Sequence, residues 1–358
     1  MKANSHGADI YSASIDAGID ENLIIDFSSN INPLGIPESV KHAIVSSVEN
    51  ACRYPDNNSR ELTSKLSVHE KVPREWIFCS NGAAEAIFRI VLHLKPKKAL
   101  LTAPTFSEYE QALKTVDTEI EYYNLTEESE FKITESIFDS IKSDTDIVFI
   151  CNPNNPTGQI TDKAMMKKII ELCFENNTAV VIDECFLDFV SDKEKYSVND
   201  LMSQYKNLII LKAFTKIYAI PGIRLGYCLC SDVNLTEGFK NSGPPWNVST
   251  FAQAAGVVAL EEKEYVKDSV RYVCKQREYL IEELKKLNIK SYESYANYIF
   301  LKIDRDINFQ SKLLDKGILI RSCSNYRGLS DKYYRIAVKS EYDNRLLIAK
   351  LKEIMGTI

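Results

Sequence analysis

Four short apolar runs in this chain end on residues that can do chemistry. Ile77–Cys79 is followed by Ser80-Asn81-Gly82-Ala83-Ala84-Glu85, a small-residue turn that opens a helix. Free N–H groups and the positive end of a helix dipole make such a turn a phosphate cradle. Ile147–Cys151 runs into Asn152-Pro153-Asn154-Asn155-Pro156-Thr157-Gly158, where two Asn-Pro pairs fix a rigid loop that can hold an amide side chain. Val180–Ile182 ends on Asp183-Glu184, and a carboxylate closing a continuous apolar strand is costly unless a cation meets it. Leu208–Leu211 leads to Lys216 and then to Pro221-Gly222-Ile223-Arg224-Leu225-Gly226. A lysine near other cations can have its pKa lowered enough to attack an aldehyde as the neutral amine. Each signal has a bland alternative: an ordinary helix start, a tight turn, an N-cap for Asp183, a surface site for Lys216.

The elements that must position these residues alternate along the chain. Strand-like runs at Ile77–Cys79, Ala99–Leu101, Glu119–Tyr123, Ile147–Cys151, Val180–Asp183, Leu208–Leu211 and Tyr227–Cys230 are separated by helical patterns such as Ala84–Leu94 and Lys163–Phe174. That alternation predicts an α/β fold with a mostly parallel sheet covered by helices, and a ligand site beyond the carboxyl ends of the strands. After Trp246 the texture changes: one long helical stretch from about Thr250 to Leu287, then strands at Tyr298–Ile303, Ile318–Ile320 and Tyr334–Val338, and a closing helix Asn344–Ile354. The expected division is a large domain over 30–245 and a smaller α+β domain built from 1–29 and 246–358.

Composition narrows the function classes. A chain of 358 residues, 45% of them hydrophobic, can bury a sizeable core. The net charge of −6 argues against nucleic acid as a partner. No apolar run approaches a membrane span, and the start lacks a signal-type apolar region, so a cytoplasmic location is expected. Nine cysteines without a C-x-x-C pair, most inside apolar runs, suit buried free thiols, and four scattered histidines give no metal-ligand spacing. Neither a GxGxxG after the first strand nor a GxxxxGK[ST] is present, so nucleotide cofactors of those kinds have no support.

Taken together, NGAAE, NPNNPTG, DECF and FTKIYAIPGIRLGY resemble the fold-type-I pyridoxal 5′-phosphate (PLP) enzymes of the aminotransferase class I/II superfamily, over nearly the whole chain. The resemblance implies a Schiff base on Lys216, Asp183 paired with the pyridine nitrogen, Asn155 on the cofactor's phenolic oxygen and near the substrate, and Tyr109 stacked on the cofactor face. It implies a cofactor phosphate held by Gly82, Ala83 and Ala84 with Thr215 and Arg224, and Tyr54 reaching in from a second subunit, hence a homodimer with shared active sites. Arg335 matches the α-carboxylate arginine, and Arg321 the arginine for a substrate phosphate, assisted by His6, Gly7 and Asn30.

Two positions depart from the commoner pattern: Ala213 stands where relatives place a phosphate-binding serine, and Phe186 where aminotransferases place a tyrosine. Arg327 reads as a surface ion pair and Lys339 as solvated. His6-Gly7, the segment Asp26–Gly35, Arg53-Tyr54-Pro55-Asp56 and Ile320–Tyr326 favour a decarboxylating branch acting on a phosphorylated amino acid. The implied activity is loss of carbon dioxide from O-phospho-L-threonine, giving (R)-1-aminopropan-2-ol O-phosphate for cobalamin biosynthesis. Transamination of histidinol phosphate is the alternative.

Overall fold

The computed structural model describes residues 7–356. Its strands in chain order are β1 (Ile25–Asp26), β2 (Ile77–Ser80), β3 (Lys98–Ala103), β4 (Glu119–Asn124), β5 (Ile147–Cys151), β6 (Ala179–Asp183), β7 (Leu208–Ala213), β8 (Gly226–Cys230), β9 (Lys290–Ser291), β10 (Tyr298–Lys302), β11 (Ile318–Leu319), β12 (Arg321–Ser322) and β13 (Tyr333–Ala337). Seven of them form one sheet in the order β2-β8-β7-β6-β5-β3-β4.

The central strands read as unbroken apolar runs because both faces are covered. Val148, Ile150, Val180, Ile182 and Ile210 pack in one cluster with Met166, Ile169, Ile170 and Cys173 of helix Lys163–Glu175. The alternate residues Ile147, Phe149, Val181, Ile209 and Leu211 pack in the other with Ile87, Ile90 and Val91 of helix Gly82–Leu94. The period of two along the strands and of three to four along the helices thus delivers two layers onto one sheet.

The sheet is mixed: β7, β6, β5, β3 and β4 are parallel, whereas β8 runs antiparallel to both β7 and β2. A parallel return needs a crossover that covers the sheet. Residues 214–225 instead fold into short turns at the strand ends, so the chain comes straight back.

The expected single helix over Thr250–Leu287 is two, Thr250–Ala259 and Lys263–Lys286. They bury different partners, the first against helices Glu38–Ser46 and Arg60–Glu70, the second against the closing helix Glu341–Met355. The second sheet is antiparallel in the order β12-β13-β10-β9. The N-terminal segment joins this part of the molecule: β1 pairs in parallel with β11. Phe27 N–H donates to Leu319 O at 2.8 Å, and Phe27 O accepts from Ala337 N–H at 2.8 Å. Threaded between two strands in this way, the segment carries Ser28, Ser29 and Asn30 to the carboxyl ends of the large sheet.

Candidate active site

A cavity of about 200 Å³ opens where β5, β6 and β7 end. Cys151 and Asp183, the last residues of β5 and β6, are partners in register and both line it. Of the residues singled out from sequence, Gly7, Asn30, Ala83, Ala84, Asn155, Asp183, Thr215, Lys216, Arg224 and Arg335 line this one cavity.

Lys216 sits on the one-turn helix Phe214–Ile217, directly after β7. Desolvation by burial lowers its ammonium from 10.5 to about 8; Arg335 and Arg224 push the same way, while Cys185 and Asp183 oppose them. So short a helix leaves its last carbonyls unpaired. Asn32 supplies partners from afar: its backbone N–H donates to Lys216 O at 3.2 Å, beside the local Ala219 N–H at 3.4 Å, and its Nδ2 donates to Ile217 O at 2.6 Å. Asn32 was not singled out by sequence, although its position beside Asn30 in Asn30-Ile31-Asn32-Pro33 was a usable signal.

Asp183 is buried and held on both oxygens, by Tyr109 Oη–H at 2.6 Å and by Cys185 N–H at 2.9 Å. This corrects the role expected of Tyr109. Its ring is fully buried, stacked on Phe149 at 5.0 Å, and lies behind the carboxylate instead of lining the cavity. The aromatic that lines the cavity from this segment is Phe106, edge-on to Tyr109 at 5.7 Å. Tyr109 lies in the first turn of helix Glu108–Lys114, whose inner face packs on the sheet, and Phe106 precedes that helix in the loop at the strand ends. Glu184 joins a buried ion cluster, with Lys212 Nζ 3.1 Å from Glu184 Oε2 and 3.4 Å from Glu70 Oε2.

At the other end of the cavity the backbone is tight enough to need glycine twice. Gly82 opens helix Gly82–Leu94 at φ +76°, and a Cβ there would lie 2.6 Å from an Arg224 guanidinium nitrogen. A Cβ on Gly226 would lie 2.4 Å from Ala83 N. A guanidinium, the Thr215 hydroxyl and a helix N-terminus therefore converge on one small volume, the composition of an anion site. Ala213 adds only a methyl group to that wall.

Beyond Lys216, Arg335 Nη1 donates to Asn155 Oδ1 and Nη2 to Ser28 O at 2.6 Å. Its Nε is buried without a partner, and so is Asn30 Oδ1. Unpaired buried polar atoms are costly, and both belong to residues of the cavity wall. Gly7 closes on this corner, where a Cβ would lie 2.5 Å from Ser28 O and 3.3 Å from Arg335 Nη2. His6 lies outside the described residues.

Arg321 pairs across β12 and β13 with Arg335 and is buried, but it does not line the cavity; the ring of Tyr326 does. Phe186 lines the cavity with its ring 5.8 Å from Lys216 Nζ. Tyr54 is away from the cavity, exposed and stacked on Trp246 at 4.5 Å. Lys339, expected to be solvated, is half-buried, and burial lowers its pKa.

The sequence matches the aminotransferase class I and II family over residues 22–351. The chain belongs to this family. It is 35% identical over 99% of its length to the threonine-phosphate decarboxylase of Salmonella typhimurium, covering 98% of that protein. It is 32% identical over 99% of its length to the adenosylcobalamin biosynthesis bifunctional protein CobDQ of Leptospira interrogans, covering 41% of that protein. Among solved structures, histidinol-phosphate aminotransferase from Clostridium acetobutylicum superposes with a TM-score of 0.87 at 32% identity, over 93% of this chain and 99% of that one. The fold is the fold-type-I arrangement, the protein is an enzyme, and its cofactor is PLP. The residues present fit that cofactor: a glycine-lined anion cradle at one end, an amine of lowered pKa, and a buried carboxylate in the same cavity. Among the described residues, no helix is long and apolar enough to cross a membrane.

Proposed function

We propose that this protein removes carbon dioxide from O-phospho-L-threonine and releases (R)-1-aminopropan-2-ol O-phosphate for cobalamin biosynthesis. The observation that carries the reading is that Lys216, Asp183 and Arg335 share one cavity in a chain with 35% identity, end to end, to a threonine-phosphate decarboxylase. Bound here, the cofactor supplies an electron sink for the charge left on Cα when carbon dioxide departs.

In this reading Lys216 would hold the cofactor and, once released from it, return a proton to Cα. Asp183, fixed by Tyr109 and the Cys185 N–H, would keep the ring nitrogen protonated. Arg224, Thr215 and the N–H groups at Gly82, Ala83 and Ala84 would take the cofactor phosphate. Asn155 has its oxygen engaged by Arg335, which leaves its amide nitrogen to donate to the cofactor's ring oxygen. Phe186 offers no hydroxyl to that oxygen, which is compatible with the decarboxylating branch. Arg335 would bind the α-carboxylate and orient it, since only the bond held across the plane of the conjugated ring is broken. Arg321, with His6, Gly7 and Asn30, would take the substrate phosphate, and the remote binding energy fixes that orientation. We assign residues 30–245 to a cofactor-holding domain and 1–29 with 246–358 to a smaller one.

Purified protein mixed with PLP and O-phospho-L-threonine should release carbon dioxide and the amino-alcohol phosphate in equal amounts. Glutamate formed from histidinol phosphate and 2-oxoglutarate, with no carbon dioxide from phosphothreonine, would replace this reading with the aminotransferase one. Arg321→Met should weaken phosphorylated substrates by about 10- to 100-fold, the scale of a lost charge-assisted bond, while cofactor binding stays as it was. Equal loss of cofactor would contradict the assignment.

The reading includes a homodimer with shared sites, because Tyr54 is exposed and away from the cavity of its own chain. Mixing inactive Lys216→Ala chains with inactive Tyr54→Ala chains should restore turnover, since a mixed dimer holds one intact site. No recovery after subunit exchange would sink the shared-site arrangement.

A further inference from the structure

We infer that Tyr326 is a specificity-determining residue of this enzyme, and that the stacking of its neighbour Arg327 on Tyr122 is what positions it. The inference rests on the proposed reading only for the identity of the phosphorylated ligand. Arg321 and Arg335 are cross-strand partners, so their side chains leave the same face of the small sheet. Only Arg335 reaches the cavity wall. The guanidinium of Arg321 lies under the ring of Tyr326, 5.4 Å from its centre, and Tyr326 lines the cavity in its place. An anion that approaches this end therefore meets the phenol before it meets Arg321. A phenol backed by a cation is a good donor to a phosphate oxygen, and its ring limits how long the substrate arm can be.

The loop that carries Tyr326 is built to hold one position. Tyr326 N–H donates to Cys323 O at 3.0 Å, Leu329 N–H donates to Tyr326 O at 3.1 Å, and Arg321 Nη2 donates to Asn325 Oδ1 at 2.8 Å. Arg327, expected from sequence to be no more than a surface ion pair, lies 3.8 Å over the ring of Tyr122 on the edge strand β4 of the large sheet. Glu110 is the acid beside this pair. A cation held between a ring face and an acid fastens the loop to the edge strand of the large sheet.

The test compares wild type, Tyr326→Phe and Arg327→Ala, each loaded with PLP, in steady-state kinetics on O-phospho-L-threonine. A second measurement titrates inorganic phosphate against the visible absorbance of the bound cofactor. Tyr326→Phe should raise KM about tenfold, the scale of one hydrogen bond to a charged group, with kcat within about threefold of wild type. Its apparent affinity for inorganic phosphate should fall by a similar factor, and its affinity for PLP should not change. Arg327→Ala should move KM in the same direction by about threefold, the scale of an exposed cation–π contact. The double variant should be no worse than Tyr326→Phe alone, because the two act through one contact. An unchanged KM and phosphate affinity in Tyr326→Phe would overturn the inference, as would a parallel loss of PLP. Wild-type protein without carbon dioxide release would defeat the decarboxylase reading instead, and the phosphate titration would still decide the role of Tyr326.

Discussion

Lys216→Ala protein is expected to fold, to lose the visible absorbance of the bound cofactor, and to show no measurable turnover. The amine is unusual among the lysines of the chain. Burial, Arg335 and Arg224 bring it to about 8 from 10.5, whereas Lys212, also buried, is raised because Glu70 and Glu184 meet it. At neutral pH about a tenth of Lys216 is then the free amine, against well under about a thousandth at the ordinary lysine value. The shift thus raises the reactive fraction by about two orders of magnitude. The sign follows directly. Below pH 8 the amine is increasingly protonated, so the rate at which stripped protein takes up PLP should fall about tenfold per pH unit. Above pH 8 that rate should level off. A loading rate that keeps rising with the same slope to pH 10 would mean that the amine is not shifted. Arg335→Met removes one of the two cations and should move the midpoint upward.

The second large effect is expected at Asp183. Asp183→Asn keeps the shape and the acceptor for Tyr109 but removes the charge. Turnover should fall about 100-fold or more, the scale of losing one charge-stabilising group in a closed site, while PLP still binds. Burying an acid at this depth has a desolvation cost, which the hydrogen bonds from Tyr109 and the Cys185 N–H offset and a cation across the cavity offsets further. For that reason the Asn variant should unfold at a temperature equal to or higher than wild type when both are stripped of cofactor. Thermal denaturation with and without PLP checks this, and a stability loss in the stripped Asn variant would show that the carboxylate is structural.

Much of the fold was legible because burial on both faces writes itself into composition. Val180–Asp183 and Ile147–Cys151 read as strands from their apolar runs, and the residues after them read as site residues because strand ends are where side chains stop being packed. Strand direction is not written in that way: Tyr227–Cys230 has the texture of its parallel neighbours, and only the short path of residues 214–225 makes it antiparallel. The break between Thr250–Ala259 and Lys263–Lys286 carries no glycine or proline; it is set by which helices the two halves meet. Tyr109 was expected at the cavity, where Phe106 stands, for a similar reason. Two aromatics three residues apart carry no local sign of which one faces a cavity and which one a carboxylate. Arg321 was expected just past a strand at Ile318–Ile320 and instead opens β12 in the other sheet, and nothing in its own surroundings told that a tyrosine from the following turn would cover it.

The threading of the N-terminal segment has a consequence for how the molecule is made. Residues 25–27 take their partners from β11 and from Ala337, almost the whole length of the chain away, and Asn32 then caps the helix that bears the reactive lysine. Contacts between residues this distant form late, after the loop between them has closed. A ribosome releases the first of these groups long before the last exists. The large sheet can therefore gather during synthesis, but competence for cofactor must wait until the final strand has emerged, and polypeptides stalled short of residue 337 should stay colourless in its presence.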